Sequence, residues 1–129
     1  MSERERRFRE GIAAYGEEGP EAMLAYMTED VVWVEDPDWP DGQTWHGHQG
    51  VRDAFRERLD STSIAVDVDN VVERGDVMLV EFVWTAVGSG SGAAAVMRPA
   101  VVQRYRGELV CHVRFFLERD RARAAFDEA

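Results

Sequence analysis

Hydrophobic and polar positions along this chain follow two different periods, and the change near residue 62 divides it into two halves. Before that point the spacing is helical. Phe8, Ile12 and Tyr15 recur at i, i+4 and i+7 within residues 3–16, one apolar stripe flanked by charges. Gly16 and Gly19-Pro20 interrupt it. Pro20 then opens a second short helix with Met23, Leu24 and Met27 along one side, ended by Thr28-Glu29-Asp30. Val31 to Glu35 is β-branched and aromatic and reads as a strand. Residues 36–46 hold two prolines and a glycine, which predicts a loop. Val51, Phe55 and Leu59, spaced by four, predict a third helix over Gly47–Leu59.

From residue 62 onward the period is two. Ile64, Val66 and Val68 alternate with Ala65, Asp67 and Asp69, a strand with one wet face. Arg74-Gly75-Asp76 predicts a hairpin turn and Val77 to Val87 a long strand. The GSGSG stretch at 88–92 reads as a hairpin loop, Ala93 to Tyr105 as one strand, and Arg106-Gly107-Glu108 as the next turn. Leu109 to Leu117 is the last strand, and a short helix over 120–126 finishes the chain. Helices gathered early and hairpins gathered late predict an α+β domain, its helices on one face of an antiparallel sheet.

Length and charge narrow the classes. At 129 residues and 45% hydrophobic, the chain is one domain, 1–129, able to build a core without disulfide or metal. The single Cys111, in the apolar run Leu109–Phe116, reads as a buried thiol. Acids outnumber bases by 25 to 15, for a net charge of −10, so nucleic acid is not an expected partner. The charged opening MSERERRFRE does not read as a secretory signal and no window has the length of a membrane span. The expected location is therefore cytoplasmic, with no membrane partner.

Four segments in order resemble the SnoaL-like branch of the nuclear transport factor 2-like (NTF2-like) superfamily. Val31 to Pro37 (VVWVEDP) is similar to the family's first strand and its exit. Thr44-Trp45-His46-Gly47, followed by Val51 to Phe55, resembles the element that starts its third helix. Arg106 to Phe116 is similar to its closing hairpin, and Leu117 to Ala125 (LERDRARAA) to its terminal segment. The resemblance implies a cone-shaped, curved antiparallel sheet with N-terminal helices on its concave face and an interior pocket, commonly in a homodimer formed by the sheets. Its members include ketosteroid isomerases, polyketide cyclases, epoxide hydrolases and binding proteins, so the site must decide the activity.

Asp36 is the candidate catalytic group. Val34-Glu35-Asp36-Pro37 looks like the ketosteroid isomerase segment whose aspartate shuttles the proton, and a carboxylate at the mouth of an apolar cone could serve as acid and base. The other reading is a turn cap ahead of Pro37. The isomerase oxyanion donors are absent, because an ungapped comparison puts Ile12 and Val101 at their positions. The Asp-Arg-Asp set of epoxide hydrolases is absent too, since Ala100 follows Arg98 two residues on. A cyclase needs less: one acid-base group and a shaped apolar pocket.

Strand parity gives the pocket lining. With Val101 inward, Met97 and Gln103 follow it, with Phe82 and Trp84 on the neighbouring strand and Val113 and Phe115 on the last. Gln103, an amide in an apolar row, needs a partner in Asp36, a ligand or a dimer mate. Tyr15, Trp39 and Trp45 complete the candidate lining, Trp39 as a lid for a flat ligand. His46 and His48 lie two apart near several acids but read as a solvated loop, so neither metal nor cofactor is expected. Two functions follow. One is a cofactor-independent cyclase or isomerase acting through Asp36 on a small apolar molecule; the other is a non-catalytic ligand-binding or dimeric interaction domain of the same fold.

Overall fold

The computed structural model describes residues 1–59, 63–87 and 94–129; the glycine-serine hairpin read at 88–92 lies outside the described residues. In order the elements are α1 (Glu3–Glu18), α2 (Glu21–Leu24), β1 (Met27–Val34), β2 (Thr44–His46), α3 (Gly47–Leu59) and β3 (Ser63–Arg74). They continue with β4 (Val77–Val87), β5 (Ala94–Met97), β6 (Ala100–Arg106), β7 (Leu109–Phe116) and α4 (Arg119–Glu128). The strands make one curved, unclosed sheet in the order β2-β1-β7-β6-β4-β3, with β5 added on β4. The α+β class holds. One pair departs from the antiparallel expectation: β1 runs parallel to β7, placing Trp33 beside Val113.

Local chemistry sets the helix ends. Ser2 caps α1 by accepting the Glu5 N–H at 3.0 Å, and Glu3 and Glu5 suit the positive end of its dipole. Gly19, at φ 69°, donates to the Tyr15 carbonyl and stops the helix two residues beyond the expected end.

Three expectations about elements change. Met27 to Asp30 belong to β1 rather than to the end of a helix, because pairing with β7 overrides a helix of only four residues. Residues 44–46 are strand, not loop: β2 folds back on β1 with Trp45 opposite Trp33. The strand expected over 93–105 is two strands. Pro99 has no N–H for the ladder, and its carbonyl instead accepts the Phe82 N–H at 2.9 Å, so the chain breaks at Arg98-Pro99.

The helices also divide between the two faces. On one face α1, α2 and α3 cover a core containing Phe8, Leu24, Val31, Val51, Met78, Val80 and Val113. On the other, α4 lays Ala122 and Phe126 over Val77, Leu79, Ala100, Val102 and Phe116. The expectation of all helices on one side is thus corrected, for a strand with both parities apolar needs cover on both faces. Along β4 the alternation is clean, Met78, Val80 and Phe82 to the first core and Val77 and Leu79 to the second.

Glu81 belongs to the second face and is 2% exposed. It accepts from Arg123 of α4 at 2.6 and 3.1 Å and from Asn70 at 3.3 Å. The Arg123 guanidinium, against the cost of burial and with help from Asn70, holds its carboxyl below the usual range. Cys111 is half-buried rather than buried. Arg104 pairs with His112 and Tyr105 with Val110, so Cys111 is the extra residue of a β-bulge.

Candidate functional site

The concave face of the sheet and the three helices above it enclose a cavity of about 100 Å³. At roughly 10–15 Å³ per water on this scale, that holds about seven to ten waters, or roughly 200–300 Å³ of organic molecule. One or two fused rings fit.

Eight aromatic rings line it in two runs of contact. The first links Phe8, Phe82, Trp84, Phe115 and Trp39, with ring centroids 6.1, 6.5, 5.5 and 5.5 Å apart. The second links Tyr15, Phe55 and Trp33 at 5.3 and 5.4 Å. The α1 stripe supplies Phe8, Ile12 and Tyr15 because a spacing of three and four residues keeps them on one side. Burial raises the Tyr15 pKa, so its hydroxyl stays protonated.

Besides the Tyr15 hydroxyl and the tryptophan N–H groups, two polar side chains interrupt the apolar wall. Glu35, 8% exposed, lines the cavity and accepts the Gln43 N–H through Oε1 at 3.2 Å. Gln103, 2% exposed, donates from Nε2 to the Tyr105 hydroxyl at 3.2 Å. Nε2 thus finds a partner within the chain, and it is not Asp36.

Asp36 lies beside the cavity and not in its wall. Its side chain is buried, with Oδ1 accepting the Asp38 N–H and Oδ2 the Leu117 N–H, both at 2.9 Å. It caps the turn after β1 and ties that turn to the exit of β7. Period two explains the exchange of roles: Val31, Trp33 and Glu35 point inward, so the next residue points away. The turn is tight. A β-carbon on Gly42 would come within 2.5 Å of the Asp36 carbonyl oxygen, so only glycine closes it. Closed in this way, the loop holds Trp39 edge-on against Phe115.

Of the expected lining, Tyr15, Trp39, Phe82, Trp84, Val101, Gln103, Val113 and Phe115 come together around the cavity; Trp45 and Met97 do not. Trp45 is half-buried beside the start of α3, where a β-carbon on Gly50 would come within 3.3 Å of it. Met97 keeps the register, opposite Trp84 as Val101 is opposite Val80, but at 36% exposed it lies beyond the cavity lining. Sequence reasoning missed Glu35, Trp33 and Phe55. Alternation from Val31 would have reached the first two, and the stripe of Val51 and Phe55 the third. His46 and His48 diverge, His46 exposed on β2 and His48 in α3 with Nε2 3.1 Å from the Met27 carbonyl. Burial, then Arg104 and Arg114, lowers the pKa of the half-buried His112.

Residues 7–113 match the SnoaL-like domain family. Solved structures share the fold at low identity. An NTF2-like protein of unknown function from Burkholderia pseudomallei is 21% identical with a TM-score of 0.76, covering 98% of both chains. TerC, co-crystallised with polyporic acid, is 18% identical with a TM-score of 0.78, over 99% of this chain and 100% of its own. A protein of ketosteroid isomerase-like fold from Catenulispora acidiphila, in complex with trimethylamine, is 18% identical with a TM-score of 0.72, over 85% and 83%. No curated protein matches the sequence. No helix among the described residues is long and apolar enough to cross a membrane.

Proposed function

The chain belongs to the SnoaL-like family, and from that premise we propose that its cavity binds a small, flat, largely apolar molecule of one or two fused rings. The observation that carries this is the lining itself: eight aromatic rings around a space that no side chain fills, with one amide and one carboxylate to orient what enters. Rings favour flat partners because offset and edge-on contacts add roughly 0.5–1.5 kcal/mol beyond buried area.

The four tryptophans give the test. Naphthalene titrated into 15N-labelled protein is expected to shift the indole N–H signals of Trp33, Trp39 and Trp84, which line the cavity, and to leave that of Trp45, which does not. A Kd on the order of 100 µM suits so small a ligand. Uniform shifts of all four signals, or none, would count against the reading.

Proton transfer on a carbonyl-bearing ligand is a second reading, favoured by the position of Glu35. A carboxylate in an apolar wall can take a proton from a carbon next to a carbonyl and return it. Glu35, rather than Asp36, then carries the acid-base role. Exchange of the α-hydrogens of 2-tetralone for deuterium is expected to run at least tenfold faster with the protein than without it, and to stop in Glu35→Gln. No acceleration by the wild-type protein would leave binding alone.

A further inference from the structure

The Gln103 side chain has one acceptor and two donors, and the structure commits only the donors. Nε2 donates to the Tyr105 hydroxyl at 3.2 Å and lies 3.5 Å from Met78 Sδ. The Tyr105 O–H in turn donates to the same sulfur at 3.6 Å. Oε1 has no hydrogen bond among the described residues, although Gln103 is 2% exposed and lines the cavity. With no such bond and not shut off from the cavity, Oε1 is left for an arriving donor, which gains there the worth of one hydrogen bond.

Tyr105 is itself held in place. Its ring lies under the Arg4 guanidinium, 4.7 Å from the ring centroid. Arg4 is bound to the Gly107 carbonyl at 2.6 and 3.1 Å and to the Asp76 carboxylate at 3.0 Å. Burial pushes the Tyr105 pKa up to about 12, so its hydroxyl keeps the proton it gives to Met78. In this arrangement the amide nitrogen faces Tyr105 and Met78, which leaves the oxygen on the cavity side.

We propose that Gln103 makes the cavity selective for rings bearing an O–H or N–H donor, which Oε1 receives, with Tyr105 as the residue that positions the amide. The ligand class narrows from flat apolar molecules to those with a phenol-like hydroxyl or an amine at one end. This rests on the reading of the cavity as a binding site.

Three probes of one ring system test it by calorimetric titration: naphthalene, 2-naphthol and 2-methoxynaphthalene. 2-Naphthol is expected to bind the wild-type protein about fivefold more tightly than 2-methoxynaphthalene, the effect of one hydrogen bond. Gln103→Leu should bring the two within about twofold of each other, the ratio being read within that variant. Tyr105→Phe, which frees the amide to turn, should narrow the ratio with Gln103 still present. Equal affinities in the wild-type protein, or tighter 2-methoxynaphthalene, would overturn the proposal. So would a preference that survives in Gln103→Leu, since methyl bulk would then explain it. If naphthalene binds and only the preference is missing, the binding reading stands without the selectivity. If none of the three binds, the reading beneath it fails as well.

Discussion

Asp36→Ala is expected to lower the melting temperature by about 10 °C while naphthalene still binds within about threefold of its wild-type affinity. The carboxylate is buried and each oxygen accepts one backbone N–H, from Asp38 and from Leu117, at 2.9 Å. A hydrogen bond to a charged acceptor contributes roughly 1.5–3 kcal/mol. Two that share one side chain are not additive, so about 3 kcal/mol is the expected loss. At this chain length 1 kcal/mol corresponds to about 3–5 °C. Asp36→Asn should lose nearly as much. It retains one acceptor, but its NH₂ group then meets the Leu117 N–H, donor against donor.

The experiment is thermal denaturation followed by circular dichroism, with the naphthalene titration on the same samples. An unchanged melting temperature, together with lost 2-tetralone exchange, would return the acid-base role to Asp36. The expected result assigns that aspartate to the turn and leaves chemistry to Glu35, the carboxylate in the cavity wall.

Phe115→Ala is expected to cost about 3–4 kcal/mol, near the lower part of the range for removing a buried phenylalanine. Phe115 is 6% exposed and joins two tryptophans, Trp39 edge-on and Trp84 tilted, each at 5.5 Å. Its loss removes the ring's own burial and both aromatic contacts. The site already borders a void, so neighbours have little to collapse onto and the new space remains. Trp39 loses its edge-on contact with Phe115 while its loop stays anchored at Asp36. The near-ultraviolet tryptophan signal should therefore fall along with the melting temperature. Phe115→Leu, which refills part of the volume, should lose less than half as much. Equal stability of wild type and Phe115→Ala in urea denaturation would show that the ring run is not a structural wall.

How much of the site was readable depended on which force positioned each residue. The α1 stripe, the third helix and the inward row of Val101 and Gln103 follow from periodicity, because a regular backbone repeats its side-chain directions. Trp45 and Met97 were misplaced for a different reason. Parity carries across Pro99, since Met97 faces Trp84 in the same register in which Val101 faces Val80, but the side of the sheet does not say how far the cavity extends along it. Trp45 sits on a three-residue strand that propensity is too weak to predict. At Asp36 the motif indicated a carboxylate in the right neighbourhood. The direction of the carboxylate was a matter of where β1 ends, and one residue of difference exchanges inside for outside.

By itself, then, the sequence determined the α+β class, the family, the helical stripe and most of the rings that line the concave face. These depend on local periodicity and composition, which act within a few residues. Only the tertiary structure decided that Glu35 and not Asp36 enters the cavity wall. It alone turned the Gln103 amide toward Tyr105 and set α4 on the opposite face of the sheet. Those outcomes come from pairings between distant segments: β1 with β7, Asp36 with Leu117, Gln103 with Met78 and Arg123 with Glu81. A backbone donor or a buried charge takes whichever partner the fold brings within about 3 Å, and no local pattern encodes that distance.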